Sequence, residues 1–175
     1  DTFALPDEPY FGYLRGPYSA EEIRDIDRHA LALGMELIPC IQTLGHLEQI
    51  LKWPAYQASI MDTAGVMLVD EPATYKLIDK MLDFWAENCS TRRIHIGMDE
   101  AHDLGRGKFL DRHGYERGFE IFNRHLKRVV EAAAKRGLSP MIWSDMYFSM
   151  GSVRGDYYDK DCNIPPEVIR EIPRQ

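Results

Sequence analysis

The sequence predicts an α/β protein that forms part of a (β/α)8 barrel, on three observations. Segments with helical periodicity alternate with short apolar runs, an order that implies parallel strands joined by helical crossovers. Polar residues gather just past three of those runs: Gln42 and His46, then Asp99 and Glu100, then Trp143 with Asp145. Barrels of this kind build their sites at such strand ends, although a doubly wound sheet would also place ligands there. Finally, the 175 residues hold three or four strands, whereas a closed barrel takes about 250 residues. The expected unit is one piece, residues 1–175, with the first strand and the last strands of the barrel outside it.

The elements follow in order. Residues 1–17 are rich in aromatic residues, Pro and Gly and read as a long loop. Ser19 with Glu22 three residues on makes a capping box, and Ile23, Ile26, Ala30 and Leu33 form the stripe of the helix it starts. MELIPCIQ suits a buried parallel strand over 36–42, although Pro39 cannot donate to a ladder. A turn and one helical turn follow. VMLV, near 66–69, is a candidate short strand. Pro72 suits the first position of a helix buried through Ile78, Met81, Leu82 and Trp85. The central strand spans 93–99. Residues 118–135 form a helix striped with Phe119, Phe122, Leu126, Val129, Val130 and Ala133, a further strand spans 140–146, and a last helix begins near Pro166.

Composition narrows the function. A 45% hydrophobic content is enough for a packed core. A net charge of −7 without any basic run argues against a nucleic-acid partner. No apolar stretch approaches a membrane span. Cys40, Cys89 and Cys162 are scattered and odd in number, which suits free thiols in a reducing, cytoplasmic setting. A homodimer is compatible with all of this.

The chemistry concentrates in RIHIGMDE, residues 93–100. Ile94, Ile96 and Met98 alternate with His95, Gly97 and Asp99, the period of a strand, and Glu100 adds a second acid at its end. Adjacent carboxylates resist joint ionisation, so one tends to hold its proton while its neighbour stays charged. A plain helix N-terminus also collects acids, but AHDLGRGKFLDRHG carries no helical stripe. His95, four residues before Asp99, reads as a barrel-core histidine. Gly105, Arg106, Gly107 and Lys108 lack the spacing of a phosphate loop.

IHIGMDE resembles the His-X-Gly-X-Asp-Glu motif of family 20 glycoside hydrolases, the β-N-acetylhexosaminidases. ELIPCIQTLGHLE resembles the family's earlier strand and turn ending in Gly-His, in the form found in its hexosaminidase D-like branch, and MIWSDM resembles the later strand carrying a Trp. The resemblance implies the central part of a TIM-barrel catalytic domain that removes terminal non-reducing β-linked N-acetylhexosamine and needs no cofactor or metal. It implies that Glu100 is the general acid/base and that Asp99 orients the substrate's acetamido group, whose oxygen attacks the anomeric carbon to give an oxazolinium intermediate with net retention. It also implies that His46 supports the site near the acid, with Gln42 at the end of the same strand; Trp143 would turn a flat apolar face to the pocket, and Asp145, on the same face by period two, would meet a sugar hydroxyl. Gln42 stands where many members carry Asp, and Met98 where many carry a second Gly. Two rivals remain: a metal-dependent barrel hydrolase using His95, Asp99, Glu100, His102 and Asp103, and a sugar-binding barrel without catalysis.

Overall fold

The computed structural model describes residues 2–174, so the outermost residues of the expected 1–175 unit lie outside it. The elements run α1 (Ala20–Ala32), α2 (Glu48–Leu51), α3 (Pro54–Ser59), β1 (Met61–Thr63), β2 (Val66–Met67) and α4 (Pro72–Asn88). They continue with β3 (Arg93–His95), α5 (Lys108–His113), α6 (Gly118–Ala134), β4 (Ser139–Met141), α7 (Asp145–Gly151) and α8 (Pro166–Glu171).

The longer helices form where the sequence places them, and for the reasons it gives, whereas the short α3, α5 and α7 were not expected. The Ser19 hydroxyl accepts the Glu22 N–H at 3.2 Å while the Glu22 carboxylate accepts the Ser19 N–H at 2.8 Å, which closes the capping box of α1. Pro72 starts α4, which buries Ile78, Met81, Leu82 and Trp85. Helix α6 buries Phe119, Phe122, Leu126, Val129 and Ala133 and packs on both α4 and β4. Helix α1 falls short of its stripe. It packs on α4 through Ile23, but Ile26 and Leu33 stay exposed, because no described element covers its outer side. The opening loop is better tied down than its composition implied: Phe3 pairs with Tyr18 in a parallel bridge, and its ring packs against Phe11, Phe84 and Trp85.

Three parallel stretches lie side by side, with β3 between β4 and residues 39–41. They are shorter than expected. Around residues 36–42 only Cys40 forms a bridge: the His95 N–H donates to the Pro39 carbonyl and the Ile41 N–H to the His95 carbonyl, each at 2.8 Å. The next rung would need an N–H on Pro39 to meet the Arg93 carbonyl, and proline has none. The Arg93 N–H turns instead to the Thr91 hydroxyl at 3.0 Å. Cys40 is exposed and Leu37 and Ile38 are half-buried, so this stretch is an open edge and not the buried strand expected.

Two further strand expectations are corrected. Residues 66–69 do not join the parallel sheet: β2 pairs antiparallel with β1 in a separate hairpin. The run 140–146 is strand only to Met141, and Asp145 already begins α7.

The sheet has two unlike faces. Ile94, Ile96 and Met98 are fully buried under the helical layer. Cys40, His95, Met141 and Trp143 belong to the opposite face and are exposed or half-buried. All three stretches run in one direction, so Gln42, Asp99 and Trp143 emerge at one rim.

Candidate active site

Beyond His95 the central chain keeps its hydrogen bonds but leaves strand geometry. The Ile96 N–H reaches the Met141 carbonyl at 2.9 Å, and the Gly97 carbonyl accepts the Trp143 N–H at 3.2 Å. Gly97 then takes φ +69°, Met98 +72° and Glu100 +48°. The period-two reading therefore gives the correct faces up to Met98, but from Gly97 to Glu100 the chain turns through three left-handed residues and is not extended strand. Gly97 has to be glycine on two counts: its positive φ, and the Gln42 side chain and Ile41 carbonyl that lie where a Cβ would go. Gly45, on the facing turn, lets the Asp99 carbonyl approach at a position that a Cβ would occupy.

These two close approaches bring the acids and the turn together. Gln42 Nε2 donates to Asp99 Oδ1 at 2.9 Å. His46, itself at φ +56°, sets Nε2 3.1 Å from Asp99 Oδ2 and 3.5 Å from Glu100 Oε2. The Glu100 N–H donates to Asp145 Oδ2 at 3.1 Å. Asp145 Oδ1 and Gln42 Oε1 are buried without a partner among the described residues. Three non-glycine residues at one rim in left-handed conformation, His46, Met98 and Glu100, cost on the order of 1 kcal/mol each. Such strain is characteristic of sites whose geometry is fixed in advance.

The Asp99 side chain is 20% exposed and that of Glu100 51%. Asp99 is thus held by two donors at the floor, and Glu100 reaches into solvent. A recess of about 430 Å³ opens beside them, lined by Asp99, Glu100, Trp143, Ser144, Asp145 and Phe148, with Tyr157 and Tyr158 on its far side. Its volume is within the usual range for a small-molecule site.

The structure gathers all six residues that the sequence singled out. Gln42 and His46 grip the acids, and Trp143 and Asp145 join them in the recess wall. Gln42 bonds Asp99 and not His46: its amide supplies a donor to a carboxylate, whereas an Asp in its place would put two carboxylates together. Asp145 contributes from the first turn of α7 and not from a strand.

His95 stays outside the recess. Its Nδ1 accepts the Gly97 N–H at 3.1 Å, its ring lies 4.8 Å from that of Trp143, and burial holds its pKa down. Glu48 is an exposed first-turn residue of α2. Among the described residues no group of three or more His, Cys, Asp or Glu side chains could hold a metal ion.

Sequence reasoning missed Tyr157, Tyr158 and Phe148. Tyr157 Oη lies 2.9 Å from His102 Nε2, and burial pushes its phenol pKa up, with the charges of Glu100, Asp145 and Asp99 adding to it. The available signal was GDYYDKD, two aromatic residues in a polar loop that soon follows a Trp-bearing strand.

The catalytic-domain model of glycosyl hydrolase family 20 matches residues 8–163. The chain belongs to this family. Human hexosaminidase D is 30% identical over 153 residues, covering 79% of this chain and 31% of the human protein, and bovine hexosaminidase D is 29% identical over the same length, covering 44% of the bovine protein. This family 20 chain therefore spans less than half the length of the curated relatives it matches. The Vibrio harveyi exo-β-N-acetylglucosaminidase in complex with N-acetylglucosamine superposes with TM-score 0.64 at 22% identity, covering 83% of this chain and 24% of that one. A Streptomyces plicatus N-acetyl-β-hexosaminidase gives TM-score 0.62 at 23% identity, covering 81% of this chain and 30% of that one. These structures establish a shared fold: the open sheet described above is part of a (β/α)8 barrel. No described helix is long and apolar enough to cross a membrane.

Proposed function

We propose that this chain is the central part of a TIM-barrel catalytic domain that removes terminal β-linked N-acetylhexosamine with retention of configuration. The observation that carries the reading is the His46 contact with both carboxylates of the Asp99–Glu100 pair, at the floor and lip of a recess walled by Trp143. The solved relative from Vibrio harveyi holds N-acetylglucosamine, which supports a sugar of this class.

In this reading Glu100, the more exposed acid, gives its proton to the glycosidic oxygen as the bond to the anomeric carbon breaks. The substrate's own acetamido oxygen closes on that carbon, forming an oxazolinium ion. Asp99, fixed by Gln42 and His46, accepts the acetamido N–H and offsets the positive charge that grows on the nitrogen. Glu100, now a carboxylate, takes a proton from the water that opens the ring. Trp143 offers an apolar ring to the C–H face of the sugar. Asp145, in the recess wall, offers its carboxylate to a sugar hydroxyl.

Glu100→Gln in the full-length enzyme tests the assignment. Hydrolysis of substrates with poor leaving groups should fall by several kcal/mol of transition-state stabilisation, roughly a thousandfold, and that of activated aryl glycosides far less. Equal losses on both substrates would remove Glu100 from the acid role.

A further inference from the structure

We propose that Asp62, on the β1–β2 hairpin, is a positioning residue for Glu100 and acts through the loop that follows the acid. The inference rests on the hexosaminidase reading and concerns how its acid is held in place. Asp62 is only 4% exposed. Its Oδ2 accepts the Gly105 N–H at 2.9 Å, its Oδ1 accepts the Phe109 N–H at 2.8 Å, and the Gly107 N–H donates to the same carboxylate. Helix α5 has no side-chain cap of its own at Gly107, so a carboxylate from a different element serves its first N–H groups. Gly107 is part of the fit, because the Asp62 carbonyl lies where its Cβ would go.

The loop anchored in this way leaves directly from the acids. Ala101 and Leu104 are buried, and the Leu104 N–H donates to the Ala101 carbonyl at 3.0 Å, which makes a short packed path from Glu100 to Gly105. Glu100, at φ +48°, is tethered on its own N–H by Asp145. A left-handed non-glycine residue persists only where its surroundings hold it. Asp145 holds Glu100 from one side, and Asp62 fixes the chain that leaves from the other.

The same hairpin grips the turn that faces the acids. The Gly65 carbonyl accepts the Leu47 N–H at 3.1 Å, and the Leu44 carbonyl accepts the Met67 N–H at 2.9 Å, so Gly45 and His46 are bracketed by it. His46 Nε2 and Glu100 Oε2, 3.5 Å apart, are therefore both referred to one hairpin. Without the Asp62 acceptors, buried N–H groups would face no partner, and the loop would have to shift to reach water. The group displaced by that shift is the one that must meet the glycosidic oxygen within hydrogen-bond reach.

The test uses the full-length enzyme and two substrates: a disaccharide of β-linked N-acetylglucosamine, whose leaving group needs a proton, and a nitrophenyl N-acetylglucosaminide, whose leaving group does not. Asp62→Asn turns one acceptor into a donor, and should lower kcat on the disaccharide by roughly a hundredfold, the scale of a misplacement of about 1 Å, and on the aryl glycoside by about tenfold or less. Asp62→Glu keeps both acceptors but pushes the loop outward, and should change the ratio of the two rates in the same direction. Val129→Ala, a core change on α6, should lower the thermal midpoint and leave that ratio at the wild-type value. A ratio unchanged in the Asp62 variants, or changed equally by Val129→Ala, would overturn the proposal. So would amide exchange at Gly105 and Phe109 of the wild type at the rate of an open loop, a measurement that needs no variant to fold. Failure of the wild type to cleave either substrate would instead overturn the hexosaminidase reading, and this proposal with it.

Discussion

His125 lies under the turn that carries His46, and lowering the pH should loosen both together. It is completely buried on α6. Its Nε2 lies 2.8 Å from the Thr43 carbonyl, so that nitrogen must carry the proton, and its Nδ1 then accepts from the Tyr75 hydroxyl at 3.1 Å. Burial lowers its pKa from 6.5 to about 4. Because the folded value lies below the unfolded one, the neutral ring contributes stability that is complete above the unfolded pKa. That stability is lost as pH falls from about 6.5 towards 4. At about 1.4 kcal/mol per pKa unit, the drop from pH 7 to pH 5 costs about 2 kcal/mol through this residue alone. His95, also lowered by burial, acts in the same direction, and Asp62, raised by burial, acts in the opposite one. Urea midpoints of wild type and His125→Gln at both pH values separate His125 from them. The wild type should lose about 2 kcal/mol more than the variant between pH 7 and pH 5. A difference between the two proteins that does not change with pH, or an imidazole that titrates near its ordinary value by NMR, would refute the argument.

Two further outcomes follow from the rim. Gln42→Ala removes a donor from Asp99 and should cost about 1.5–3 kcal/mol in kcat on an aryl N-acetylglucosaminide, the usual weight of a hydrogen bond to a charged group; unchanged turnover would mean that His46 alone positions Asp99. Gly97→Ala forces a Cβ into the Gln42 side chain and the Ile41 carbonyl at φ +69°, so its thermal midpoint should drop by several degrees and its activity should vanish. A variant as stable and active as wild type would show that the Gly97 path can relax.

The long helices α1, α4 and α6 were legible because their signals are local. A capping box at Ser19, Pro72 at a first turn and the stripe of α6 each determine the backbone around them. Strand length is set by neighbours, and the sequence does not name them. Pro39 weakened the 36–42 strand on inspection, but which rung it would break depends on its pairing with His95. The tandem acids, His46 and Trp143 stood out as residue types at the ends of apolar runs. Tyr157 did not, because the loop that returns it to Glu100 has no periodicity. Asp145 was identified as a site residue but assigned to the wrong element: a Ser-Asp pair after a Trp fits the end of a strand as well as the first turn of a helix.

In the proposed mechanism the hydrogen bonds at the rim also tie catalysis to assembly. Gln42 follows one strand stretch, Asp99 and Glu100 follow the next, and Asp145 follows the third, each joined to its neighbour by one short contact. A slip of one residue between any two stretches would shift these groups by about 3.3 Å and turn the side chains to the other face. Such an error would take Ile94, Ile96 and Met98 out of the core as well as dispersing the rim. Under that mechanism turnover would report strand alignment, and a misaligned barrel would be catalytically silent however well its helices had packed.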